Sequence, residues 1–186
     1  MQRSTVANLM ALTGVVPLGK GIFSGLRSLR RLAVIGALLS GAVTLYVSPA
    51  SAVLLKSYDF TTDLSDTLGN GVDMTGVGTV SGGRYSFSNN QGLRLTSALP
   101  STTDYAIEMK LQVNDNLSGY KKLVDFLDLG SDIGLYLLDD AVTFYTNISA
   151  VGSVSLDTDF VIGLERAAGT ISVFLDGVFL ASAPDV

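Results

Sequence analysis

The 186-residue chain contains no cysteine, no histidine and no tryptophan. Each absence closes a class of chemistry. Without cysteine there is no disulfide framework and no thiolate nucleophile, and without histidine there is no Ser-His-Asp triad. Cys/His zinc sites and haem-attachment motifs go with them. Stability must therefore come from a packed core rather than from bridges. Charge is also sparse and unevenly divided. The only charges in residues 1–52 are Arg3, Lys20, Arg27, Arg30 and Arg31, whereas residues 53–186 hold 7 Lys/Arg against all 17 Asp/Glu, a net of −10. Two pieces of different character are joined, and the length suits one ordinary domain plus an appendage.

The first piece reads as an address. Leu32 to Val47 is LAVIGALLSGAVTLYV, sixteen residues without a charge, preceded by Arg27, Arg30 and Arg31 and followed by Ala50-Ser51-Ala52. A basic region, an apolar helical run and an A-x-A site are the three parts of a secretory signal peptide. Cleavage is expected between Ala52 and Val53, which makes the chain a secreted or cell-surface protein. A retained anchor is the competing reading. Sixteen helical residues rise about 24 Å, short of the roughly 30 Å hydrocarbon core, and Pro49 ends the helix, so no stable membrane insertion is expected after processing. Residues 1–26 are long, Gly-rich and weakly charged for such a signal, and are best explained by an overlong start.

The second piece, residues 53–186, has no sustained 3.6-residue apolar spacing and repeated period-two alternation. In Tyr105–Val113 the apolar Tyr105, Ile107, Met109, Leu111 and Val113 share one face and Ala106, Glu108, Lys110 and Gln112 the other, which predicts a strand with one face in the core. Similar runs are Val53–Phe60, Val77–Val80, Arg84–Ser88, Gly92–Leu99, Lys121–Asp128, Ile133–Leu138, Ala141–Asn147, Phe160–Arg166, Thr170–Leu175 and Val178–Ser182. Short strands separated by Gly, Asn, Asp and Ser turns predict an all-β antiparallel sandwich or barrel. Two-residue turns at Asp139-Asp140 and Asp176-Gly177 predict hairpins, the second of type I′.

Several of these segments together resemble a known family. They are Ser57-Tyr58-Asp59-Phe60 followed by Asp66-Thr-Leu-Gly69-Asn70-Gly71, then Gly83-Arg-Tyr85-Ser-Phe87 leading to Gln91-Gly92-Leu93-Arg94-Leu95. Later come Ile133-Gly134-Leu135-Tyr136 and Val173-Phe174-Leu175-Asp176-Gly177-Val178. The pattern resembles the laminin-G-like, or concanavalin A-like, jelly roll over about residues 54–182, in particular the exported bacterial sandwich proteins that carry a short C-terminal sorting segment. The resemblance implies a jelly-roll sandwich preceded by a signal-peptide helix. It also implies a terminal strand beside Val53–Phe60, which is not found before Val186, so an open sheet edge or a continuing chain is expected.

Retaining hydrolysis of a glycosidic bond needs two carboxyl groups about 5–5.5 Å apart. Glu108 and Glu165, the only glutamates, are each isolated among apolar or basic neighbours, no Glu-x-Asp-x-x-Glu arrangement exists, and the acid pairs Asp157/Asp159 and Asp139/Asp140 fall in loops or turns. No catalytic residue is assigned, and a glycosidase-like enzyme is the least favoured reading. Calcium takes six to eight oxygens from carboxylates, carbonyls and water. The resemblance implies one ion at the rim, for which Asp66, Asn70, Asp125, Asp128, Asp139 and Asp140 are the candidates by position; turn capping without metal is the competing account. Pyranose faces pack on flat rings, and Tyr120, Tyr136 and Tyr145 are the candidate ligand-binding platform. Lys121 and Lys122 are too few for a nucleic-acid-binding field in so acidic a domain; they are expected to guard a strand edge. The sequons at Asn116 and Asn147 mark loops or strand ends. The expectation is a non-catalytic exported recognition or matrix module binding glycan or a surface protein, against a structural surface protein with no specific ligand.

Overall fold

The computed structural model describes residues 7–9, 12–16, 53–96, 99 and 101–185. The expected signal segment over 27–52 lies outside the described residues. Among the described residues there are strands and turns and no helix, and hence no helix long and apolar enough to cross a membrane.

The strands follow in chain order. β1 (Ala7–Leu9), β2 (Leu12–Val16) and β3 (Val53–Lys56) come first. Next are β4 (Thr75–Gly76), β5 (Thr79–Ser81), β6 (Arg84–Phe87), β7 (Leu93–Arg94), β8 (Tyr105–Leu111) and β9 (Tyr120–Asp125). The last six are β10 (Gly134–Leu138), β11 (Ala141–Tyr145), β12 (Ile148–Val151), β13 (Phe160–Ala167), β14 (Thr170–Leu175) and β15 (Val178–Pro184). The two larger sheets run β15-β14-β13-β8-β2-β3 and β12-β11-β10-β9, with smaller sheets β1-β6-β5 and β4-β7. Every described pairing is antiparallel.

Alternation decides which side chains enter the core. In β8, Tyr105, Ile107, Met109 and Leu111 are buried and Glu108 is exposed. β13 pairs Ile162 with Met109 and Leu164 with Ile107, and β14 places Val173 opposite Leu164, so three strands contribute one continuous apolar face. Leu135, Leu137, Val142 and Phe144 of β10 and β11 belong to the same buried cluster. Each such side chain taken out of water contributes about 1.5–3 kcal/mol, which must be set against the chain entropy lost on folding. Ala106 departs from the expected pattern, being buried although it lies on the opposite face of β8.

Both anticipated hairpins are present with two-residue turns, Leu138 opposite Ala141 and Leu175 opposite Val178. Asp176 and Gly177 both have positive φ, 50° and 77°, as a type I′ turn requires. Other boundaries moved. The expected strand Val53–Phe60 stops at Lys56 because Asp66 takes the Ser57 N–H and Asp59 takes the Thr61 N–H, side-chain bonds that compete with the ladder. Gly92–Leu99 yields only β7 among its described residues, and the strand expected over Ala141–Asn147 ends at Tyr145, with a further strand, β12, beginning at Ile148 after the turn at Thr146-Asn147. Tyr85 fixes the glycine-rich stretch: its hydroxyl accepts the Gly78 N–H (2.7 Å) and donates to the Gly92 carbonyl (3.2 Å). A Cβ at Gly76 or Gly78 would overlap the Tyr85 ring or hydroxyl, so only glycine passes there.

The segment set aside as an overlong start supplies two strands. β1 pairs with β6, and β2 lies between β8 and β3. Leu12–Val16 pairs with one side of Val53–Lys56, and β3 stands last in the six-stranded order, so its other side is a sheet edge among the described residues.

Candidate functional site

The two-residue turn at Asp139-Asp140 sets the register of β10 and β11. Tyr136 pairs with Thr143 and Gly134 with Tyr145, so Tyr136 and Tyr145 are diagonal neighbours on one face while Phe144 points to the core. β9 adds Tyr120 opposite Leu138 and Lys122 opposite Tyr136. All three candidate tyrosines therefore stand on the face of the four-stranded sheet turned away from the core. This juxtaposition is the strongest feature among the candidate residues.

The three differ in availability. Tyr120 is 64% exposed and Tyr145 44%, but Tyr136 only 8%. The Tyr136 ring is already engaged: the Lys122 ammonium sits 5.2 Å from its centroid and the Tyr120 ring meets it edge-on at 6.0 Å and 87°. Its hydroxyl donates to the Asp132 carbonyl at 2.9 Å. Tyr136 is thus a support that orients Tyr120, and Tyr120 and Tyr145 present the free ring surface.

Lys122 is the residue that sequence reasoning gave another task. Its ammonium donates to Asp125 (2.6 Å) and to the Ser131 carbonyl (2.8 Å), and the Asp125 hydrogen bond, followed by that with Tyr136, raises its pKa. β9 is also the edge of its sheet, as expected for a lysine-guarded strand. Lys121 donates to the Ser118 carbonyl (2.8 Å), and desolvation lowers its pKa. Asp125 Oδ1 accepts the N–H groups of Leu127 and Leu129. Burial pushes its pKa up; the hydrogen bond from Lys122 and these two N–H donors outweigh it and hold the carboxyl below the ordinary range.

The calcium candidates are spread over separate turns. Asp66 accepts the N–H groups of Ser57, Leu68 and Asn70, which makes it and Asn70 parts of one backbone turn. Asp128 pairs with Arg94 at 3.0 Å, Asp139 accepts the Gly119 N–H at 2.8 Å, and Asp140 accepts the Ser153 hydroxyl at 2.6 Å. Among the described residues no three His, Cys, Asp or Glu side chains come together in a way that could hold a metal ion.

Two further groupings depend on pairing that sequence spacing does not reveal. Asp159 receives a two-oxygen grip from Arg84 and an ion pair from Lys110 at 2.9 Å, which engages one half of the Asp157/Asp159 pair. Glu108 lies opposite Gly163 and Glu165 opposite Ala106, so the two glutamates are diagonal neighbours on the outer face of the six-stranded sheet. Phe174 is opposite Gly163 on the same face and meets Phe179 at 5.7 Å. Desolvation raises the Glu165 pKa. The only early signal was that both residues occupy solvent-side positions of alternating runs; their mutual register was not readable.

No family model matches this chain, and neither a curated protein nor a solved structure does.

Proposed function

We propose that the chain is an exported, non-catalytic recognition module of laminin-G-like jelly-roll type that binds glycan on its four-stranded sheet. The observation carrying this reading is the placement of Tyr120, Tyr136 and Tyr145 on one outer face. Two exposed rings supply apolar surface for sugar C–H groups, and the neighbouring Lys122–Asp125 pair supplies polar partners for hydroxyls. The all-antiparallel strand order and the strand–Asp-Gly–strand hairpin support the family reading. The basic, apolar and A-x-A succession over residues 27–52 supports export. A structural coat protein with no specific ligand is the competing account.

A glycan array read with and without a calcium chelator tests the reading. Retention of a defined set of glycans is expected, with Tyr120→Ala and Tyr145→Ala each weakening binding by at least about tenfold while leaving the melting temperature within a few degrees. Retention of no glycan sinks the proposal and favours the coat protein. The least favoured reading, a glycoside hydrolase, would rest on Glu108 and Glu165, which are diagonal neighbours on the outer face. Release of reducing sugar by the wild-type chain, abolished in Glu165→Gln, would replace recognition with that reading.

A further inference from the structure

The loop that leads into β9 gathers a set of side chains that the tyrosine face does not use. Asn116 Nδ2 donates to the Asp115 carboxylate (2.9 Å), the Ser118 hydroxyl donates to Asn116 Oδ1 (2.8 Å), and the Lys121 ammonium reaches the same oxygen at 3.5 Å. Lys121 is steadied there by the Ser118 carbonyl, to which it also donates at 2.8 Å. Gly119, with φ 74°, turns the chain between Ser118 and β9, so that positions 116 and 121 meet. Asp115, Asn116 and Lys121 are all half-buried. The set comprises an amine, an amide carbonyl, a donor on that carbonyl's oxygen and a carboxylate on its nitrogen, which are the parts needed to exchange one amide for another.

We propose that the folded chain joins Lys121 to Asn116 through an intramolecular isopeptide bond between Nζ and Cγ, with ammonia as the leaving group. The attacked carbon lies at most one C=O bond, about 1.2 Å, beyond the oxygen that Lys121 already touches. The flexible lysine stem covers the step to an attack distance of about 3–3.5 Å. Desolvation lowers the Lys121 pKa against the opposing charges of Asp115 and Asp139, which favours the neutral amine.

Asp115 takes one proton from the Lys121 ammonium, and the amine lone pair then attacks Cγ. The N–C bond forms as the carbonyl π pair moves onto Oδ1, where the Ser118 hydroxyl holds the developing charge. Asp115 passes its proton to Nδ2, the pair returns from Oδ1, and the Cγ–Nδ2 bond breaks. The extra proton on the new amide nitrogen leaves with the ammonia. One ammonium and one primary amide thus become one secondary amide and ammonium, with no oxidant, reductant or co-reactant. The product is a covalent bridge at the start of β9 in a chain that has no cysteine.

Mass spectrometry of the full chain tests this. Freshly synthesised chain is held at neutral pH, sampled over time, and digested with trypsin after denaturation. The wild-type chain is expected to become lighter by one ammonia, to resist cleavage after Lys121, and to give a Leu111–Lys122 peptide whose fragments show residues 116 and 121 joined. Lys121→Arg should keep its full sequence mass. Ser118→Ala should slow the loss at least about tenfold and Asp115→Ala at least about a hundredfold. A wild-type chain that keeps its full mass while showing its β spectrum overturns the proposal. So does loss of ammonia with Lys121 still cleaved, or the same loss in Lys121→Arg, since either result places a cyclic imide at Asn116 instead of a bridge. The wild-type fragments decide the matter even if a variant fails to fold.

Discussion

Leu137→Ala is expected to lower the unfolding free energy by about 2–5 kcal/mol, the range for emptying a fully packed leucine site. Leu137 is 0% exposed and belongs to the buried cluster shared by the two larger sheets, with Ile162, Leu164 and Val173 from the facing strands. The protein has no disulfide to limit the damage. Leu129, 80% exposed in the loop after β9, provides the contrast: Leu129→Ala should change stability by no more than about 0.5 kcal/mol. Urea titrations of both variants at neutral pH measure the difference, and similar midpoints for the two would show that Leu137 is not core.

The second large effect is expected at Asp66. Its buried carboxylate gathers the N–H groups of Ser57 (2.8 Å), Leu68 (3.1 Å) and Asn70 (3.1 Å). Burial pushes its pKa up, but these three donors and the Lys56 charge together hold it below the ordinary carboxylate value. Asp66→Ala strands three donors and is expected to cost at least about 3 kcal/mol at pH 7. Because the folded-state pKa is lowered, the stabilisation is fully present above the ordinary aspartate pKa near 4. It is lost as the pH falls through the lower folded value. Wild type should therefore weaken progressively below about pH 4, and Asp66→Ala should lose less over the same interval. Urea titrations at pH 7 and pH 3 test this; a parallel loss in both proteins would mean that Asp66 does not carry the acid sensitivity. Tyr58 lies in the same region, its hydroxyl donating to the Val72 carbonyl at 2.8 Å. Burial first, then the charges of Asp66 and Asp73, push its pKa up to about 12.

How far the sequence could be read depended on the range of the interaction. The strand over Tyr105–Leu111 and its inward side were legible because period two is local. The hairpins at Asp139-Asp140 and Asp176-Gly177 were legible because two-residue turns fix register without help from elsewhere. That register alone puts Tyr136 and Tyr145 on a common face. Tyr120 was a candidate by residue type, but that it shares their face was not readable, since β9 reaches β10 through the long turn after Asp125 and its pairing shifts between Leu135 and Tyr136. Side-chain capture of the backbone also left no periodic trace. Asp66 and Asp59 shorten the first strand of the domain, and Asp66 is a turn cap whose composition reads equally as a metal ligand. Glu108 and Glu165 show the same limit, 57 positions apart in the chain and diagonal in the sheet.

The two larger sheets close over a single core, the buried cluster that Leu137 shares with Ile162, Leu164 and Val173. Denaturant-dependent hydrogen exchange of wild type and Leu137→Ala measures this at once, using amides of Gly134–Tyr145 from one sheet and Phe160–Leu175 from the other. With one shared core, the slowest amides of both segments open with the same free energy, and the substitution lowers both by the same amount. A loss confined to Gly134–Tyr145, with Phe160–Leu175 still opening at the wild-type value, would contradict it.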